Sequence, residues 1–267
     1  MSDPRPIGVF DSGTGGLTVV RAILDELPNE SIVYFGDHGR FPYGPRPLLE
    51  IRKFALEIAR HLLQRDVKLV VIACNAATSA ALDDVAAAMP VPVVGVIDPA
   101  VRTAVRATRN HRVGLIGTEA TVSSGAYQRA FAVAAPDIEV TARACPRFVE
   151  FVERGDTTSP ELMEEAARSL APLQDASVDT LILGCTHYPL LRGSIHHVMG
   201  PDVLLLSSAD ETAGDVYDIL SAKGLLAEGP DRPVHRFESS GDPERFAVLG
   251  RRFLGPEVLE AVHVSLA

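Results

Sequence analysis

Leu181-Ile182-Leu183-Gly184-Cys185-Thr186-His187-Tyr188-Pro189 is a short apolar run that passes through a glycine into cysteine, threonine and histidine. Such a β-rich run reads as a strand buried on both faces of a parallel sheet. Gly184 lets the backbone turn sharply, and Pro189 suits a first helical turn. The same passage recurs at Val70-Val71-Ile72-Ala73-Cys74-Asn75-Ala76-Ala77-Thr78. Outward from these two stretches, similar runs predict strands at Ile7–Phe10, Ile32–Phe35, Leu69–Ala73, Val93–Val96, Val113–Ile116, Ile138–Thr141, Leu181–Leu183 and Val203–Leu206. Helical patterns fall between them at Leu17–Leu27, Leu48–Arg65, Ala76–Ala88, Val122–Ala134, Pro160–Leu170 and Thr212–Ala222. Alternation of this kind predicts an α/β fold of parallel strands joined by crossover helices.

The pattern repeats within the chain. The first strand ends in Asp11-Ser12-Gly13 and a later one runs into Cys74-Asn75. In the second half, one strand ends in Gly117-Thr118 and a later one runs into Gly184-Cys185-Thr186, at a similar separation. Two related α/β halves follow, each with polar groups at the carboxyl ends of its strands, the edge where open α/β sheets bind ligands. Asp98-Pro99 is the expected hinge, and the tail after Ser207 is expected to return to the first half. The expected domains are therefore 1–98 plus 208–267, and 99–207.

Composition narrows the function. A chain of 267 residues has room for one large domain or two small ones. Its net charge of -10, without a basic run, argues against a nucleic-acid partner. Met1 to Pro6 has no signal-peptide pattern, and no apolar run reaches membrane-spanning length. Three cysteines, an odd number, read as free thiols in a reducing cytosol.

Both strand-end cysteines admit two readings. A helix N-terminus favours the thiolate, which makes Cys74 a candidate acid–base group; a free cysteine is also commonly a small buried hydrophobe. Cys185 has the same setting, with His187 two residues on to tune it or relay protons, unless that histidine is a capping or surface residue. Two such thiols in equivalent places favour function. Cys185 and His187 also fit a thiol hydrolase, which leaves Cys74 without a role. The spacing matches no zinc motif, so no metal site is expected. Cys145, in Ala144-Cys145-Pro146-Arg147, lacks the strand-to-helix setting and is assigned to packing.

Three loops carry further candidates. Asp11-Ser12-Gly13-Thr14-Gly15-Gly16 fails the dinucleotide pattern, because position 18 is Thr, and fails the phosphate-loop pattern as well. It remains a tight loop able to hold an anion through backbone N–H groups, or to cap the helix that follows. The stretch from Asp37 to Pro45 is a site wall or an ordinary connection. Thr118 and Thr121 place hydroxyls at another strand end, for a carboxylate or for capping. The three lysines, Lys53, Lys68 and Lys223, stand in none of these loops, which argues against a Schiff-base cofactor.

Taken together, Gly8-Val9-Phe10-Asp11-Ser12-Gly13, Pro42-Tyr43-Gly44, Ala73-Cys74-Asn75, Ile116-Gly117-Thr118 and Leu183 to Pro189 resemble the glutamate racemase family over nearly the whole chain. With Ala144 to Val149, the pattern is closest to actinobacterial members. The resemblance implies two similar parallel-sheet α/β domains related by a pseudo-two-fold, with the active site in the cleft between them. It implies cofactor-independent interconversion of L- and D-glutamate in the cytoplasm, supplying D-glutamate for peptidoglycan, by an enzyme that is commonly a homodimer. By motif position, Cys74 and Cys185 take the two catalytic thiol roles, with Asp11, His187 and Glu153 assisting. Asp11-Ser12, Pro42-Tyr43-Gly44, Asn75-Ala76, Thr118, Thr121 and Thr186-His187 match the substrate-contacting set. One departure stands out: the family commonly has Thr or Ser where this chain has Ala76, and Thr78 or Ser79 is the nearby hydroxyl able to replace it. Aspartate racemisation is the nearest alternative activity; a one-cysteine decarboxylase fits the paired thiols poorly.

Overall fold

In a computed structural model of the protein, residues 3–227 and 233–266 are described. Met1 and Ser2 of the opening segment, and the expected domain ends at 1 and 267, lie outside the described residues. The first half runs β1 (Ile7–Asp11), α1 (Leu17–Glu26), β2 (Ile32–Gly36), α2 (Leu48–Leu63), β3 (Leu69–Ile72), α3 (Asn75–Ala88), β4 (Val93–Gly95) and α4 (Ile97–Ala107). The second runs β5 (Arg112–Gly117), α5 (Glu119–Ser124), α6 (Ala126–Ala134), β6 (Glu139–Ala144), α7 (Arg147–Glu153), α8 (Pro160–Asp175), β7 (Thr180–Gly184), α9 (Arg192–Met199) and β8 (Leu204–Ser207). The chain ends with α10 (Ser208–Lys223), β9 (His235–Ser239), α11 (Pro243–Phe253) and β10 (Val262–His263).

These strands form two parallel sheets, the framework of two α/β domains. The first has the order β10-β9-β2-β1-β3-β4 and the second β6-β5-β7-β8. Strand for strand, β2-β1-β3-β4 and β6-β5-β7-β8 are one pattern used twice. In both, the chain goes from the central strand (β1 or β5) to one side and then crosses to the other. The strand order reverses between β1 and β3, and between β5 and β7. A crevice opens at the carboxyl end of a sheet at such a reversal. Asp11 and Cys74 stand at one reversal, Thr118 and Cys185 at the other.

The central strands of each sheet bury both faces, which is why β1, β3 and β7 read as continuous apolar runs. Ile7 and Val9 of β1 pack with Leu17, Val20 and Ile23 of α1 and with Val216 and Leu220 of α10. Phe10 turns the other way, to Ile51, Ala55 and Ile58 of α2. In the second sheet, Leu181 and Leu183 meet Leu162, Ala166 and Leu170 of α8. Ile182 between them faces Ala104 of α4 and Tyr127 and Phe131 of α6.

Several local expectations need correction. Asp98-Pro99 lies in the first turn of α4 and not in a linking loop; a proline there displaces no intrahelical hydrogen bond. The single helix expected over Val122–Ala134 is broken at Gly125, whose φ of 66° caps α5 in the left-handed region before α6 begins. Cys145 does stand between a strand and a helix, β6 and α7, yet it is buried at 1% exposure among Phe148, Tyr188 and Leu170. Beyond α10, β9 pairs with β2 and extends the first sheet.

Candidate active site

β7 ends at Gly184, immediately before Cys185, and β3 ends at Ile72, two residues before Cys74. Cys74 follows β3 and Ala73 and is the N-cap of α3. Cys185 follows β7 directly, and a short turn with Pro189 in its first residues comes next. Both thiols are almost fully buried, at 6% and 7% exposure, and all three cysteines of the chain are free. Cys74 and Cys185 line one cavity of about 500 Å³. The first half contributes Ser12, Pro42, Tyr43, Gly44, Cys74, Asn75 and Ala76 to its wall. The second contributes Thr118, Thr121, Glu153, Cys185, Thr186 and His187.

Asp11 is the one sequence-predicted site residue that stands behind this wall. It is fully buried at the end of β1. One carboxylate oxygen accepts the Gly13 N–H at 3.1 Å and the other accepts the Thr186 hydroxyl at 3.4 Å, a bond between the halves. The loop after Asp11 lies so close to the second half that a Cβ on Gly15 would sit 2.4 Å from Thr186 Oγ1 and 2.5 Å from His187 Nδ1. Only glycine permits that approach.

The two thiols have different neighbours. Cys74 Sγ donates to Ser12 Oγ at 3.8 Å. Burial pushes the Cys74 thiol up, and the Asp11 carboxylate adds to this; the Ala77 N–H and Ser12 only partly offset them. The lowering effect of the helix N-terminus is therefore outweighed, against the expectation from sequence, because desolvation exceeds what a single backbone donor returns. Beside Cys185 stands His187, itself 2% exposed. Its Nε2 meets Glu153 Oε1 at 2.9 Å, and it also bonds the Cys185 side chain. Burial alone would lower the His187 imidazolium, but the bonds to Cys185 and Glu153, with the charges of Cys185 and Asp11, raise it to about 10. Burial works against ionised Glu153 as well; the bond and charge of His187, with His38 and Arg245, override it and hold the carboxyl below its usual range. Phe41 and Phe253 pack on the imidazole at ring distances of 5.8 and 5.6 Å, which keeps water from it.

The polar groups of the wall serve both the fold and the cavity. Thr118 Oγ1 caps α5 by accepting the Thr121 N–H, and the two hydroxyls lie 3.1 Å apart. The Tyr43 hydroxyl is bound to Asp37, so this residue offers the cavity its ring and backbone. Gly44 O accepts the Ala120 N–H at 2.9 Å, a second bond between the halves. Neither hydroxyl expected to stand in for Ala76 reaches the cavity. Thr78 donates to Ile72 O and Ser79 to Asn75 O, both satisfying backbone carbonyls. The backbone N–H groups at the start of α3 are left to meet an anion there.

Sequence reasoning missed Phe41, Glu150 and Arg245, which also line the cavity. Phe41 lies in a loop that the sequence marked as a wall, so its neighbours were the available signal. Arg245 arrives on α11 from the tail, and no motif announces it. Among the described residues, no three metal-binding side chains cluster, and no helix is long and apolar enough to cross a membrane.

Comparison with known proteins fits this geometry. The family model for Asp/Glu/hydantoin racemases matches residues 7–214. The chain is 56% identical to the glutamate racemase of Corynebacterium diphtheriae over 95% of each protein. It is 57% identical to that of Mycobacterium tuberculosis over 99% of each. The crystal structure of the Francisella tularensis glutamate racemase in complex with D-glutamate superposes with a TM-score of 0.93 at 38% identity, covering 99% of this chain and 98% of that one. The chain belongs to the Asp/Glu/hydantoin racemase family and, within it, to the glutamate racemases.

Proposed function

We propose that this protein interconverts L- and D-glutamate without a cofactor, using Cys74 and Cys185 as acid and base on opposite faces of the substrate. The observation that carries this reading is the shared cavity, into which two equivalent strand ends of two sheets each bring one buried thiol. Inversion at the α-carbon needs a proton removed from one face and another returned to the opposite face. One sulfur acts as thiolate and takes the α-proton; the other, as thiol, gives its proton to the far side. The reverse reaction exchanges their roles. A cationic His187 stabilises negative charge on the sulfur beside it, and Glu153 holds the imidazole in place. At the other strand end, Asp11 and Ser12 set the charge and orientation around Cys74. The N–H groups at the start of α3, with Thr118, Thr121 and Thr186, hold the carboxylates and stabilise the charge that develops at the α-carbon. Burial of both thiols excludes water and strengthens each of these contacts.

The domains divide near residues 98 and 207, and the product D-glutamate serves peptidoglycan synthesis in the cytoplasm. Circular dichroism of L-glutamate and, separately, D-glutamate with the purified protein and no additive tests the reaction. Both signals decay to zero if the reading is right. A signal that persists for glutamate but decays for aspartate reassigns the substrate.

A further inference from the structure

Asn75, the first residue of α3, lies in the cavity wall at 2% exposure. Its side chain is held from the other half of the molecule. Tyr127, on α6, is fully buried and donates its hydroxyl to Asn75 Oδ1 at 2.7 Å. The phenol ring is fixed among Leu115, Phe131 and Ile182 of the second sheet's core. A buried hydroxyl hydrogen requires an acceptor, and among the described residues the Asn75 carbonyl is the one it has. That bond decides which way the amide faces. With Oδ1 occupied, Nδ2 is the free end; it is buried and has no partner among the described residues. An amide donor left unmade beside a cavity is costly unless a ligand supplies the acceptor, and a carboxylate is a strong one.

We infer that Tyr127 is a positioning residue for the reaction: it locks the Asn75 amide so that Nδ2 meets a carboxylate of the bound substrate. The inference rests on the glutamate reading above. The same bond ties α6 of the second half to α3 of the first, so the donor is set only when the halves are joined. Tyr127 itself does not touch the substrate.

Tyr127→Phe keeps the ring and removes the hydroxyl. The amide can then turn, and its carbonyl faces the carboxylate part of the time. The KM for glutamate rises about tenfold, kcat falls by a smaller factor, and the Kd for D-glutamate by calorimetry rises with KM. In an Asn75→Ala background, the same substitution changes KM and Kd by less than about twofold, because the group it acts through is gone. Asn75→Ala by itself removes the donor without adding charge; it weakens D-glutamate binding at least as much as Tyr127→Phe. A KM and Kd within about twofold of wild type in Tyr127→Phe overturn the inference. So does an equal effect of Tyr127→Phe in both backgrounds, which marks a purely structural role. Should Tyr127→Phe fail to fold, undiminished binding by Asn75→Ala overturns it and weakened binding supports it. A wild type that binds glutamate without racemising it defeats the proposed reaction, while the binding cycle still decides the role of Tyr127. A wild type that binds no glutamate defeats both.

Discussion

Cys74 and Cys185 end equivalent strands of two sheets with the same strand order, yet they are dressed differently. Cys74 leads straight into the fourteen-residue α3 and faces Ser12 and the buried carboxylate of Asp11. Cys185 leads into a short turn and faces a histidine that Cys185 itself and then Glu153 keep charged against burial. Repetition of the fold places the two sulfurs; the neighbours decide the charge around each. In the proposed reaction, a symmetric change at the α-carbon would be served by an asymmetric pair, with a carboxylate on one side and an imidazolium on the other.

The bluntest way to break the comparison is to remove one thiol at a time. Cys74→Ser and Cys185→Ser should each lower racemisation by about 10³-fold or more, since one base cannot serve both faces. Near-normal turnover in either variant, read by circular dichroism, would contradict the two-thiol assignment; an acyl-enzyme trapped at Cys185 with Cys74 dispensable would support a thiol hydrolase instead. A finer test removes the neighbours. Asp11→Asn and His187→Asn should each cost on the order of 10² in kcat. The α-deuterium isotope effect should grow for one enantiomer in Asp11→Asn and for the other in His187→Asn. Growth for the same enantiomer in both would mean that the two assist a single thiol.

The smallest effect concerns pH. His187 stands at about 10, above the value of about 6.5 for a free imidazole. The stability this contributes is fully present below about pH 6.5 and is lost as pH rises through 10. Glu153→Gln withdraws part of that support. The alkaline limb of kcat should move toward neutrality, with a roughly tenfold loss of activity at pH 9. Its thermal melt should lie below wild type near pH 7, and the gap should close above pH 10. An unmoved alkaline limb would separate Glu153 from the protonation of His187.

Much of this arrangement is legible in the residues themselves. Buried parallel strands announce themselves as unbroken apolar runs, so β1, β3 and β7 and the polar ends after them are readable without coordinates. The tail is not: β9, His235–Ser239, mixes His, Arg and Glu with one phenylalanine, because Glu238 is buried against His61, Arg65 and Arg236 instead of apolar neighbours. A strand satisfied by ion pairs carries no apolar signature. α4 was hidden by its Asp-Pro start, which reads as a turn although a proline fits a first helical turn. At the site, residues adjacent to a motif are found with it, whereas Tyr127 and Arg245 enter from elements whose only link to the cavity is tertiary packing. The raised Cys74 thiol is not legible for a related reason: a helix start is visible in sequence, and the depth of burial that overrides it is not.

The claim that two sulfurs face one carbon from opposite sides is tested most directly by elimination. A glutamate analogue carrying a leaving group next to the α-carbon needs only one base: the remaining thiolate takes the α-proton, a double bond forms and the leaving group departs with its electron pair. Offered both enantiomers, Cys74→Ser should eliminate from one and Cys185→Ser from the other. If both variants consume the same enantiomer, the sulfurs do not flank the substrate and the two-base account is wrong.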